Sequence, residues 1–227
     1  MGDLQRGSFM RRYVVRFGGE AILIVVSVFV AILLESMWQD RTEEKEARES
    51  LAQVRLSLLE DKEFFDWVEK EQRIAAEQTQ LLIQWFSDPE TLPKEQVHEV
   101  FLSYTMPISI WPRRAAWSTM VSAGQLQLLD APGLTTKIGD YYEHHLRRIE
   151  YNGRQYDDSF SAVAEGELPH IWDFGNQQLL TTDPIRLTKF RNRLLRVSDW
   201  IDYYLESVDR NRRLAEELVV EIDQYLR

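Results

Sequence analysis

Residues Ala21 to Leu34 read AILIVVSVFVAILL, fourteen residues in which Ser27 is the only polar one. No other stretch so narrows what the chain can fold into. Fourteen apolar residues fall short of the ~20 that a helix needs to cross ~30 Å of hydrocarbon. Adding Phe17, Gly18, Gly19 and the Tyr13–Val15 stretch makes the length adequate, and it draws Arg16 and Glu20 into the N-terminal end. Those two lie four apart on one helix face. The Arg16 stem can snorkel to headgroups, and Glu20 sits at the positive end of the helix dipole. Glu35 marks the exit, and Trp38 is placed like an interfacial aromatic. The expectation is an uncleaved single-pass anchor over residues 13–38, with Arg16, Glu20, Glu35 and Trp38 as its anchoring residues.

A cleaved signal peptide is the rival, but Leu33-Leu34-Glu35-Ser36-Met37 offers no small-x-small cleavage site. Arg11-Arg12 lacks the Ser or Thr that a twin-arginine signal carries before the pair, so it reads as positive flank. The basic tail 1–12 then stays cytoplasmic by the positive-inside rule. That places residues 39–227 in the periplasm of a bacterial inner membrane.

Charge supports this division and excludes one class of partner. Residues 1–20 carry a net +2, and the remainder carries −12 of the chain's −10 total. An acidic soluble part lacks the clustered Lys and Arg that nucleic acid requires. There is no cysteine, hence no disulfide, thiolate nucleophile or Cys-based zinc site.

The rest of the chain has helical periodicity. Arg41 to Glu49 is a charged helical segment continuing from the anchor. Leu51, Val54, Leu58, Phe65, Val68, Leu82 and Phe86 then form a 3–4 stripe, interrupted at Gln72 and Thr79 and ended by Ser87-Asp88-Pro89. Residues 39–87 therefore read as a stalk helix without a long continuous coiled coil. Lys94–Thr105 and Ala115–Leu129 read as shorter helices, and Leu134–Glu165 as a longer one that Asn152-Gly153 can kink. Residues 166–183 are irregular. Asp183-Pro184 has the N-cap and N1 residues of a last long helix over 184–227. No segment alternates with period two, so no strand is expected. The fold expected is all-α, one N-terminal transmembrane helix continuing into an irregular antiparallel bundle.

Two stretches carry a family resemblance. One is Gly19-Glu20-Ala21-Ile22-Leu23-Ile24-Val25-Val26, then Ala31-Ile32-Leu33-Leu34 and Trp38. The other is Trp117-Ser118-Thr119-Met120-Val121-Ser122-Ala123-Gly124-Gln125-Leu126, running through Leu128, Asp130 and Leu134 to Ile138 and Tyr141-Tyr142. Together they cover about a third of the chain. They resemble a bacterial family of uncharacterised membrane proteins, a domain of unknown function, and the resemblance implies no activity.

Candidate sites are few. Asp140 and His144 lie four apart with His145 adjacent, the best metal candidate, yet only His98 and His170 could add imidazoles. The reading is therefore no metal and no cofactor, with His145 half-buried and His144 exposed. Aromatic residues at helical spacing are core, whereas Trp111, Trp172 and Phe174 lie in irregular segments where they would mark a partner surface. Arg113-Arg114 and Arg191/Arg193/Arg196 read as solvated basic faces. No phosphate loop, Gly-x-Ser-x-Gly or nucleophile–base pair is present. The function expected is a non-enzymatic accessory or scaffolding subunit of a respiratory, photosynthetic or transport membrane complex. Its partners would be the lipid bilayer and other subunits, or a second copy of itself. The alternative is a small-molecule sensor signalling through a partner.

Overall fold

A computed structural model of the protein describes the backbone of residues 4–104 and 109–227. Side chains are described from Leu23 onward within those ranges, Ile24 apart. Six α-helices are described: α1 (Leu4–Ser87), α2 (Lys94–Ser103), α3 (Ala115–Ser122), α4 (Pro132–Asp140), α5 (Leu146–Ala164) and α6 (Pro184–Leu226). The π-helical segment Tyr141–His145 joins α4 to α5. The family of helices forms an antiparallel bundle. Arg48 reaches Tyr225 and Leu226, Arg55 meets Asp223, and Gln80 bonds Ser198, so α1 and α6 run in opposite directions. Tyr141 faces Asp61 on α1, while Asn152 faces Ser207 on α6, which makes α4 and α5 the third column, parallel to α1.

The buried residues fall into two apolar clusters. One gathers Leu51, Leu58, Phe65, Ile138, Leu146, Val208 and Ile222. The other gathers Leu82, Trp85, Phe101, Phe160, Trp172, Phe190 and Ile201. Around their boundary lie the buried polar residues Gln72, Thr79, Asn152, Ser207 and Asn211. Gln72 and Thr79, the interruptions in the α1 stripe, sit in this boundary, and α1 runs through them without a break. The buried Thr79 hydroxyl is satisfied within the helix, its Oγ1–H donating to the Ala75 carbonyl at 2.7 Å.

Local chemistry explains the ends. Asp183 caps α6, its Oδ1 accepting from the Ile185 N–H at 2.9 Å, with Pro184 in the first turn. Helix α3 stops at Ser122 rather than at Leu129 because Gly124 takes φ +69, a left-handed residue that reverses the chain into a 3-10 turn over Gln125–Leu128. The irregular stretch contains an antiparallel hairpin, β1 (Trp172–Asp173) with β2 (Gln178–Leu179), where no strand was expected. Asp173 organises its loop by accepting from the Asn176 side-chain amide, the Asn176 N–H and the Gly175 N–H, which hold its carboxyl below the usual range.

The expected membrane anchor requires correction. Among the described residues, no helix is long and apolar enough to cross a membrane. The apolar run with described side chains extends from Leu23 to Leu34, roughly 18 Å of helical rise, against ~30 Å of hydrocarbon. Glu35, Gln39 and Asp40 follow it directly. Arg16 and Glu20, half of the expected anchoring set, lie outside the described side chains, whereas Glu35 and Trp38 are exposed.

Candidate functional site

The most constrained polar groups surround the π-helical segment. Ordinary helical geometry turns consecutive side chains apart, yet Tyr141 and Tyr142 are both fully buried. The wider turn over Tyr141–His145 brings both inward, and such segments recur at functional positions. The Tyr142 ring stacks on Trp117, centroids 5.4 Å apart and planes at 5°. The Trp117 indole N–H donates to Glu143 Oε1 at 3.2 Å. Tyr141 O–H donates to Asp61 Oδ2 at 3.4 Å. Tyr142 Oη is buried with no hydrogen-bond partner among the described residues.

Asp61 is the group that this environment perturbs most instructively. Only 4% of it is exposed. Burial pushes its carboxyl from 3.8 up to about 6, against the Arg113 backbone N–H, the Tyr141 hydroxyl and the Arg113 charge, which all pull it down. Burial also raises the Tyr141 hydroxyl well above its ordinary range, with Asp61 adding to the effect. Sequence reasoning missed Asp61, although it lies three residues after Leu58 and four before Phe65 and so falls on the buried face of the same stripe. Its cluster can hold a proton near neutrality, but it is closed over by packed aromatic rings.

The metal candidates sit on the outer side of the same segment. His144 Nε2 lies 3.7 Å from Asp140 Oδ1, and both side chains are mostly exposed. His145 is half-buried and, with Asp140, Lys137, Tyr141, Glu217 and Glu221, lines a shallow cleft of about 210 Å3. Lys137 in that cleft pairs with Glu221 at 2.5 Å. Among the described residues, no group of three or more His, Asp or Glu side chains is placed to hold a metal ion.

The three expected surface aromatics part company. Trp111 is 78% exposed. Trp172 instead belongs to the core, 1% exposed, edge-on to Trp85 at 5.8 Å and with its indole N–H donating to His98 Nδ1 at 3.3 Å. The β1–β2 hairpin is the reason, since it folds Trp172 inward and lays Phe174 half-buried beside it. Of the three, Trp111 is exposed, Phe174 half-buried and Trp172 buried.

Two further features lie outside that set. The first is the projecting part of α1. Ala47 and Arg48 are where α1 meets the end of α6, and the helix before them extends past the bundle. There Leu23, Val25, Val26, Val28, Phe29, Val30, Ile32, Leu33 and Leu34 are 46–69% exposed. The second is a cleft of about 560 Å3 at the start of α6, lined by Glu167, His170, Arg186, Lys189 and Arg193 over Ile171 and Phe190. The sequence pointed to Arg193 as part of a basic face, but not to its meeting with His170 across the hairpin region.

No curated protein and no solved structure matches the chain. A family model does match, over residues 20–195, which takes in the Trp117–Tyr142 block and the start of α6. The chain belongs to DUF6090, a family of unknown function.

Proposed function

We propose that this chain is a non-enzymatic scaffolding subunit, in which the bundle forms a rigid body and the projecting half of α1 docks on another protein of a larger complex. The observation that supports the reading is the apolar run Leu23–Leu34. Exposed apolar residues occupy nearly every position, so the helix is apolar around its circumference rather than along one stripe. A helix of that kind is stable only when surrounded. Nothing in the described part of the chain covers it, and the patch is of the sort that marks an interaction site. Ser27 fits such burial, because its hydroxyl already donates to the Leu23 carbonyl at 2.8 Å and demands no partner.

The test is a photo-crosslinking amino acid placed at Phe29 in the full chain, expressed in its native host, with one at Glu43, beyond the apolar run, as control. A protein adduct of defined mass at Phe29, absent at Glu43, is the expected result. Adducts only to lipid, or none at either position, overturn the reading.

A further inference from the structure

We infer that the cleft at the start of α6 is a binding site for a small molecule carrying two or more negative charges on oxyanion groups, phosphate or carboxylate. The inference is independent of the scaffolding role. It begins with charge. Residues 184–198 contain Arg186, Lys189, Arg191, Arg193 and Arg196 and no acid, in a chain whose net charge is −10. The rest of the protein therefore carries −15, and apart from the basic N-terminal twenty residues this stretch is where the balance inverts.

Pairing then separates this stretch from an ordinary solvated face. Elsewhere in the bundle basic side chains mostly have acids: Arg55 with Asp223, Arg73 with Glu69, Arg114 with Glu150, Arg147 with Glu143, Arg210 with Glu206. Arg186 and Lys189 have no acidic partner within 4.0 Å among the described residues. Arg193 is paired, its Nε 2.6 Å from Glu167 Oε1. Among the described residues Glu167 is also the only acid lining the cleft, so two positive charges are left uncompensated there.

Geometry makes those charges converge. Positions 186, 189 and 193 follow the 3–4 spacing of one helix face. The 3-10 turn Leu168–His170 sets the His170 imidazole and Glu167 on the opposite wall, with Ile171 and Phe190 contributing apolar surface. A volume of about 560 Å3 lies within the range of small-molecule sites, about 300–1,000 Å3. A guanidinium fork beside an ammonium suits a polyvalent oxyanion, through charge-assisted hydrogen bonds from both.

Titration calorimetry of the full chain with inorganic pyrophosphate and, separately, citrate tests the site at constant ionic strength. Saturable one-site binding of at least one is expected, and the tighter of the two identifies the oxyanion group. The double variant R186Q/K189Q should bind that anion about tenfold more weakly or worse. K189R keeps the charge and should retain binding, and R147Q, outside the cleft and paired with Glu143, should bind as wild type. Both altered residues are exposed, so unchanged melting of the double variant separates lost binding from lost folding. No saturable binding of either anion overturns the inference, as does equal binding by the double variant and wild type.

Discussion

Replacing Asp61 by Asn tests whether the core pays for a buried carboxylate at neutral pH. In the folded protein the Asp61 carboxyl titrates at about 6, whereas 3.8 is its ordinary value. Between those two pH values the folded state binds the proton that the unfolded chain has released, so the protonated acid favours folding. That contribution is fully present below about pH 4 and is lost as pH rises through about 6. At 1.36 kcal/mol for each pH unit of separation, the loss amounts to about 3 kcal/mol. Asp61→Asn keeps an acceptor for the Arg113 N–H and the Tyr141 O–H but has no charge to desolvate. It should therefore match wild type near pH 4 and exceed it near pH 7 by up to about 3 kcal/mol. An amide N–H left without an acceptor would subtract about 1–3 kcal/mol at every pH. The diagnostic quantity is hence the difference in slope rather than the offset. Urea unfolding of both proteins at intervals between about pH 4 and pH 7 measures it, and the other acids cancel in the difference. A difference curve that stays flat through pH 5–6 would refute the reasoning.

Two glycines on the third column should respond with opposite signs. At Gly153 an added Cβ would stand 3.1 Å from Tyr204 Oη and 3.2 Å from Ser109 Cβ. Tyr204 cannot retreat, since its Oη accepts from the Ile110 N–H at 2.8 Å and its ring stacks on Tyr156 at 5.5 Å. Gly153→Ala should cost about 1 kcal/mol net, overpacking of about 1–3 outweighing about 1 of helix propensity. At Gly139 the same Cβ meets the Trp117 ring at 3.8 Å, so Gly139→Ala should stabilise by about 0.5–1 kcal/mol in the same denaturation assay. Arg48 ties the end of α6 to α1, with Nη2 donating to the Leu226 carbonyl at 3.0 Å and the guanidinium lying 5.1 Å over the Tyr225 ring. Arg48→Ala should cost about 1–2 kcal/mol and speed amide exchange in the last turn of α6, leaving the α5 amides unchanged.

What could be read from the sequence depended on how local its physical cause was. The α6 start was legible because Asp183 and Pro184 act within one turn of themselves. The core stripe of α1 was legible because periodicity reports a face directly, and Leu51, Val54, Leu58, Phe65 and Val68 are all buried. The π-helical turn was not, since it answers to Trp117 and Asp61, which reach Tyr142 and Tyr141 from other helices. Asn152-Gly153 falls within a continuous α5, where the glycine allows the close approach of Tyr204. A hairpin of two-residue strands is too short to alternate visibly, so Trp172 read as surface. The acidic and basic residues lining the α6 cleft come from two segments that only the hairpin region brings together.

The boundary between the two apolar clusters shows what the polar interruptions do. An unbroken apolar seam between two long antiparallel helices would tolerate sliding by a heptad, because each apolar residue would meet another. Here the α1 seam carries Gln72 and Thr79, and α6 carries Ser207 and Asn211, all buried. Thr79 meets the hydroxyl of Tyr104, the residue that ends α2, at 3.2 Å, and across the α1–α6 pair itself Gln80 Nε2–H donates to Ser198 Oγ at 2.9 Å. A slip would part Gln80 from Ser198, at about 1–3 kcal/mol for a buried group left unsatisfied. The forked contact of Arg55 with Asp223 adds a second lock at one end of the pair, its Nε 2.5 Å from Oδ1 and Nη2 3.1 Å from Oδ2. Register is thus held by polar groups at the middle and the end of the α1–α6 pair, while the apolar clusters between them supply the burial. Fixing that register also fixes how far α1 projects beyond α6, and so where the run Leu23–Leu34 is presented.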